Sequence, residues 1–237
     1  MKSQRIFLTG ASSGIGAAAA KLLVHKGHRV FLVSRDLSAM KPLSEAAGED
    51  RIFLFEGDTT HASAMRDAAS KMKQQWGGID VCIPNAGVGV FSPMSEASIA
   101  DWHRMIDVNI KGVLNTIHAC LDSLLENKGN VIQIGSVAAR NVFPNSGVYC
   151  ATKHAVLAIS EAMRIEFKDR IAVTTINPGA VNTAFIEQTT QEELRESYRP
   201  QFENGMDPSF IASAISEAIE SKGKGIFSEI TLRPDLR

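Results

Sequence analysis

The feature that most constrains this chain is a regular alternation of short apolar runs with segments of helical period. Runs rich in β-branched and aromatic residues recur at Ile6–Leu8, Val30–Val33, Ile52–Phe55, Ile79–Ile83, Val131–Ile134 and Ile171–Ile176, and Ile226–Leu232 offers a short last one. Strands that are apolar almost throughout, with helices between them, predict a parallel sheet covered on both faces and joined by right-handed crossovers. Ligands of such a sheet bind at the carboxyl ends of its strands, so functional residues are expected just after each run. Asn85 to Gly129 is long enough for two helices. Ala180 to Asp207 is polar and charged, interrupts the rhythm, and reads as a mobile, partly helical lid.

With 237 residues, 44% of them hydrophobic, the chain can bury one sizeable core, and one domain over residues 1–237 is expected. The formal net charge of −1 gives no global attraction to nucleic acid or to an anionic membrane, so neither is expected as a partner. The apolar run after Met1-Lys2-Ser3-Gln4-Arg5 is too short for a signal peptide or a membrane span. Cys82, Cys120 and Cys150 are widely spaced, which disfavours a disulfide framework and fits a reducing cytoplasm. His25 and His28 are expected on one helix, but no carboxylate or Cys joins them at ligand spacing, and no metal site is expected.

Directly after the first strand comes Thr9-Gly10-Ala11-Ser12-Ser13-Gly14-Ile15-Gly16, then an Ala-rich helix. A glycine turn between a strand and a helix suits a phosphate. Gly10 permits the tight turn, Gly14 lets backbone approach a pyrophosphate, Gly16 allows close packing, and the helix N-terminus supplies unpaired N–H groups. At the end of the second strand stand Ser34 and Arg35, where an acidic residue would hold the ribose hydroxyls of NAD. Arg35 can fork onto a 2′-phosphate and Ser34 can donate to it, which favours NADP(H) over NAD(H). The alternatives are a solvated Arg35, or Asp36 as a ribose carboxylate one position late.

Asp58-Thr59 follows the third strand and Asn85-Ala86-Gly87 ends the fourth. Taken singly, these are equally well a helix cap and a turn. Tyr149 and Lys153 are four apart in a helical segment, so their side chains share a face; Ser136, thirteen residues before Tyr149, follows the fifth strand. Hydride delivery to a carbonyl builds negative charge on oxygen, which needs a hydrogen-bond donor and then a proton. Tyr149 can give that proton, Lys153, helped by the positive charge of an oxidised nicotinamide, is expected to lower the phenol's pKa, and Ser136 can orient the oxygen.

The ordered series from Thr9 to Thr183 resembles the short-chain dehydrogenase/reductase family, with its Thr-Gly-x-x-x-Gly-x-Gly turn, Asn-Ala-Gly segment and Ser…Tyr-x-x-x-Lys constellation. The resemblance implies a Rossmann-type, doubly wound parallel sheet of about seven strands and an enzyme that moves a hydride between a nicotinamide and a carbonyl or secondary alcohol. It assigns catalysis to Asn109, Ser136, Tyr149 and Lys153, with Asn109 supporting a water relay to the lysine. It assigns the cofactor to Gly10, Ser12, Ser13, Gly14, Ile15, Gly16, Ser34, Arg35, Asp58, Thr59, Asn85, Ala86, Gly87, Tyr149, Lys153, Pro178, Gly179 and Thr183. Thr59 and Ala139 depart from the usual aliphatic residue and glycine. The ending Ser228-Glu229-Ile230-Thr231-Leu232-Arg233-Pro234 resembles NADP-dependent 3-hydroxy acid (serine) dehydrogenases and clavulanate-dehydrogenase-like reductases, so a small 3-hydroxy acid is one expected substrate, with Arg140, Arg195 or Arg199 as its carboxylate partner. A homo-oligomer, tetramer or dimer, is also implied. Of the competing classes, a methyltransferase has no need of Tyr149 and Lys153 behind Ser136, and a nucleotide sensor on the same fold often loses the acid/base group that Tyr149 supplies.

Overall fold

A computed structural model describes residues 3–235. Seven strands form one parallel sheet: β1 (Arg5–Thr9), β2 (Arg29–Ser34), β3 (Ile52–Glu56), β4 (Val81–Ile83), β5 (Asn130–Ile134), β6 (Ala172–Pro178) and β7 (Glu229–Leu232), in the order β3-β2-β1-β4-β5-β6-β7. The order reverses between β1 and β4, and a crevice opens there at the carboxyl ends.

Alternate residues of strands β1 to β6 feed two cores, which explains why these strands read as continuous apolar runs. Ile6, Leu8, Val30, Leu32 and Ile132 pack under helix α1 (Gly14–His25) and helix α8 (Pro208–Glu220). Phe7, Phe31, Val33, Val131 and Val173 pack under α3 (Ala62–Trp76), α5 (Val113–Asn127) and α6 (Gly147–Glu166). Phe31 stacks on Phe53 with centroids 4.9 Å apart and meets Trp76 edge-on. Helix α2 (Lys41–Ala47) precedes β3.

Several boundaries differ from those the sequence suggests. Ile79 stays outside β4 because its N–H donates to Ser123 Oγ at 2.8 Å, and the last strand begins only at Glu229. Helix α1 ends at His25, so His28 lies in the turn to β2, where its Nδ1 accepts from the Gln4 N–H at 3.1 Å; the two histidines do not share a helix. The two helices expected between β4 and β5 are α4 (Ile99–Ile106) and α5, fused without a loop by a π-helical turn over Asp107–Gly112 that contains Asn109. Such turns widen a helix by one residue and concentrate at functional sites.

The excursion from Ala180 to Asp207 is helical in part, with a 3₁₀ turn (Ala184–Gln188) and helix α7 (Glu192–Glu203). Its base is closed where the Met206 N–H donates to Ala180 O and the Asn182 N–H to Met206 O, each at 2.9 Å. Among the described residues no helix is long and apolar enough to cross a membrane.

Candidate active site

The glycine turn after β1 is built by close approach. Gly10 (φ +65°) and Gly14 (φ +50°) occupy left-handed backbone, and a Cβ on Gly16 would stand 2.1 Å from the Gly10 oxygen. Asn85 fixes the turn from the end of β4, its Nδ2 donating to Thr9 O at 2.9 Å and Gly10 O at 3.0 Å. Ser13 stands at the N-cap of α1 without a side-chain capping bond, so the first-turn N–H groups are left for another acceptor. A backbone cradle that a Cβ would fill, beside an uncapped helix start, fits a dinucleotide pyrophosphate.

The turn forms one wall of a cavity of about 590 Å³. It is lined by Gly10, Ser12, Ser13, Gly14, Ile15, Ser34, Arg35, Asp58, Thr59, Asn85, Ala86, Gly87, Ser136, Tyr149, Lys153, Pro178, Gly179 and Thr183. Gly16 and Asn109 do not line it: Gly16 packs under the turn, and Asn109 is buried behind the wall.

At the end of β2, Ser34 Oγ lies 3.0 Å from Ser12 Oγ, tying that strand end to the glycine turn. Arg35 is exposed and faces the cavity; against the raising effect of burial, hydrogen bonds from Thr60 hold the Asp58 carboxyl below its ordinary pKa, and the Arg35 charge adds to them. Asp36 is not a lining residue. Its Oδ1 accepts from the Ser38 N–H at 2.8 Å, which spends the carboxylate on a local turn. Thr59 is buried, and its carbonyl accepts from Asn115 Nδ2 on α5 at 2.9 Å.

Ser136, just past the end of β5, accepts from the Ala138 N–H at 3.1 Å and lines the cavity together with Tyr149. One turn along α6, Lys153 is buried, and its Nζ donates to Ile134 O at 2.9 Å and lies 5.9 Å from the centroid of the Tyr149 ring. Asn109 Oδ1 accepts from the Val88 N–H at 2.8 Å, while its Nδ2 donates to Val88 O at 2.8 Å and Thr152 Oγ1 at 3.0 Å. The Asn109 side chain thus ties the π turn to α6 and to the loop after β4.

Burial dominates the electrostatics of this pair. Burial pushes Tyr149 up to about 12, against the lowering effect of the neighbouring Ser136 side chain, and pushes Lys153 down to about 8. The expected lowering of Tyr149 by Lys153 counted on the charge of an oxidised nicotinamide as well; the chain's own groups alone do not produce it. With the groups the chain itself provides, loss of hydration disfavours both charged forms and outweighs their mutual attraction.

The three arginines suggested for a substrate carboxylate do not reach the cavity. Arg140 Nη2 pairs with Glu229 at 2.6 Å, Arg195 contacts Glu187, Glu192 and Glu196, and Arg199 Nη2 pairs with Glu196 at 2.9 Å. Unrecognised in the sequence were Phe91, Phe143, Phe185, Tyr198 and Phe202, which line the end of the cavity beside Tyr149. Only the four-residue spacing of Tyr198 and Phe202 on a charged helix hinted at them; the others come from separate loops. Among the described residues no group of three or more His, Cys, Asp or Glu could hold a metal ion.

Comparison with known proteins agrees with this geometry. A profile of the short chain dehydrogenase family matches residues 4–194. An uncharacterized oxidoreductase of Staphylococcus saprophyticus is 34% identical over 99% of this chain and 97% of its own length. Among solved structures, an alcohol dehydrogenase from the archaeon Thermococcus sibiricus, complexed with 5-hydroxy-NADP, superposes with a TM-score of 0.88 at 28% identity, covering 100% of this chain and 98% of that one. A closed form of serine dehydrogenase complexed with NADP+ gives 0.89 at 26% identity, covering 97% and 94%.

Proposed function

The chain belongs to the short-chain dehydrogenase family, an oxidoreductase of alcohols and carbonyl compounds that uses a nicotinamide cofactor, and on that premise we propose that it is NADP(H)-dependent, with Tyr149 as general acid and base. The observation that carries this reading is the convergence of Ser136, Tyr149 and Lys153 on the cavity that the glycine turn also lines. When bound, the nicotinamide exchanges a hydride with the substrate carbon.

The chain's own groups handle the oxygen. Ser136 and Tyr149 hydrogen-bond the carbonyl, and Tyr149 passes its proton to the oxygen as the alcohol forms; the reverse reaction returns it. Lys153 holds a positive charge one helical turn away and stabilises the phenolate that Tyr149 becomes. Asn109 positions α6 through Thr152, whose Oγ1 donates to Tyr149 O at 2.7 Å.

For the cofactor, Ser34 and Arg35 would hold a 2′-phosphate, supported by the engagement of the Asp36 carboxylate elsewhere and by the two NADP-type complexes of similar fold. Gly10, Ser12, Ser13, Gly14 and Ile15 would hold the pyrophosphate, Asp58 and Thr59 the adenine end, and Asn85, Ala86, Gly87, Pro178, Gly179 and Thr183 the nicotinamide half. Gly16 acts by letting α1 approach.

We read the chain as one cytoplasmic domain that assembles as a homodimer or tetramer. Three buried, free cysteines support the compartment. Exposed Ile106 and Leu114 on α4 and α5, and Ile165, Phe210, Ile226 and Phe227 around the last strand, support two self-association faces.

The test is hydride exchange: NADPH labelled on its reactive carbon, incubated with enzyme and carbonyl compounds, should transfer label to the alcohol, with kcat/KM for NADPH above that for NADH. Binding of NADPH without label transfer to any carbonyl would leave a nucleotide sensor as the reading.

A further inference from the structure

The substrate end of the cavity has an unexpected composition. Five aromatic side chains converge there: Phe91 from the loop after β4, Phe143 before α6, Phe185 from the 3₁₀ turn, and Tyr198 and Phe202 from α7. The rings of Phe91, Phe185, Tyr198 and Phe202 form a continuous wall. Phe91 lies 5.2 Å from Tyr198 and 6.3 Å from Phe202, Phe185 lies 6.0 Å from Phe202, and Tyr149 touches the wall through Phe185 at 5.5 Å and Phe91 at 6.0 Å, all between centroids. The wall is closely fitted: a Cβ on Gly89 would stand 2.3 Å from Phe185 Cζ. Tyr198 anchors α7 by donating its hydroxyl to Pro144 O at 3.1 Å, on the loop that carries Phe143.

Charge is arranged the opposite way. The cationic residues lining the cavity are Arg35, at the β2 end, and Lys153, whose ammonium is turned to the Ile134 carbonyl. Arg195 and Arg199 share α7 with the ring wall, yet neither lines the cavity: Arg199 is hydrogen-bonded to Glu196, and Arg195 lies 3.7 Å from both Glu187 and Glu196, with its Nε buried and without a hydrogen bond. A carboxylate beside Tyr149 would lose its hydration to aromatic faces, whose negative quadrupole repels an anion. An uncharged ring gains both buried area and aromatic contacts there.

Resting on the oxidoreductase reading above, we propose that the substrate is a carbonyl compound, or its secondary alcohol, that bears an uncharged hydrophobic ring and no carboxylate near the reacting carbon. The ring lies among Phe91, Phe185, Tyr198 and Phe202, which leaves the carbonyl oxygen at Ser136 and Tyr149. The reaction is R–CO–R′ + NADPH + H+ to R–CHOH–R′ + NADP+: the cofactor gives the hydride to carbon, and Tyr149 gives the proton to oxygen and recovers one from solvent. A small 3-hydroxy acid finds no counter-charge in this wall.

The test compares two methyl ketones of similar reach, 4-phenylbutan-2-one and 4-oxopentanoate, with NADPH and the full-length protein. The expected result is a kcat/KM at least about 50-fold higher for the phenyl ketone, the order expected for burying a ring rather than a carboxylate. The variant Phe202→Arg, which places a cation in the wall, should lower that ratio at least about tenfold; calorimetric titration with NADPH checks that the variant is folded. Equal or better turnover of 4-oxopentanoate by the unmodified enzyme overturns the substrate class while leaving the oxidoreductase reading intact. Turnover of neither ketone also overturns it, and the label-transfer experiment across other carbonyls then decides whether the underlying reading falls with it.

Discussion

Lys153 is held one helical turn beyond Tyr149 with its Nζ 5.9 Å from the centroid of the tyrosine ring, and its nearest hydrogen bond goes to the Ile134 carbonyl rather than to the phenol. In the proposed mechanism the lysine therefore acts on the tyrosine through its charge and not through a shared proton. Burial opposes ionisation of both, so the energetics of the site turn on whether each is charged or neutral at a given pH.

Tyr149→Phe keeps the ring that meets Phe91 and Phe185 and removes only the hydroxyl. Turnover should fall by about 10²–10⁴-fold, the usual contribution of a general acid, with NADPH affinity and thermal stability nearly unchanged. Stopped-flow turnover combined with calorimetric titration checks this, and near-full turnover with cofactor bound would exclude Tyr149 as the proton donor.

Lys153 carries a signature in stability. Its pKa is lowered from 10.5 in the unfolded chain to about 8 in the folded one, so between those values the unfolded state binds more protons. Its contribution to stability therefore rises as pH climbs from about 8 towards 10.5, and is least favourable below 8, where the buried ammonium must be kept charged. Lys153→Met should be more stable than the unmodified protein at pH 7 and should lose the rise attributable to this group. Denaturant midpoints measured at pH 7, 8, 9 and 10 on both proteins make the comparison, and parallel curves would refute the buried-charge account.

Arg35→Ala removes the guanidinium at the β2 end of the cavity. The Michaelis constant for NADPH should rise roughly 10–100-fold, the worth of a charge-assisted hydrogen bond, while that for NADH changes less than about twofold. An unmodified enzyme that already prefers NADH would remove the basis of this expectation.

Gly16→Ala introduces a Cβ 2.1 Å from the Gly10 oxygen and 2.6 Å from Asn85 Nδ2. Both neighbours are backbone or tethered to it, so the turn itself must move. A loss of about 1–3 kcal/mol in stability is expected, with weakened NADPH binding. Gly225→Ala, which meets nothing within 4 Å, serves as the control and should leave both unchanged.

Much of this molecule could be read locally. The strand-to-helix glycine turn, the apolar runs that feed both cores, and the four-residue spacing of Tyr149 and Lys153 are properties of neighbouring residues, because strand alternation, helical period and left-handed glycine backbone act over a few positions. For the same reason the series of strand ends pointed to Gly10, Ser34, Asn85 and Ser136 before any was seen to face one cavity. What lay beyond the sequence was which of several possible partners each group takes, near or far along the chain. Asp36 bonds Ser38 two residues on and Arg199 pairs with Glu196 three residues back, while Arg140 meets Glu229 from the far end of the chain. The direction of the Tyr149 and Lys153 shifts was decided by burial, which belongs to the packed whole and not to the pair. The aromatic end of the cavity is the plainest case: Phe91, Phe143, Phe185 and Phe202 come from four segments with no common period, and only the tertiary fold, by closing the excursion at Ala180 and Met206, sets them around one space.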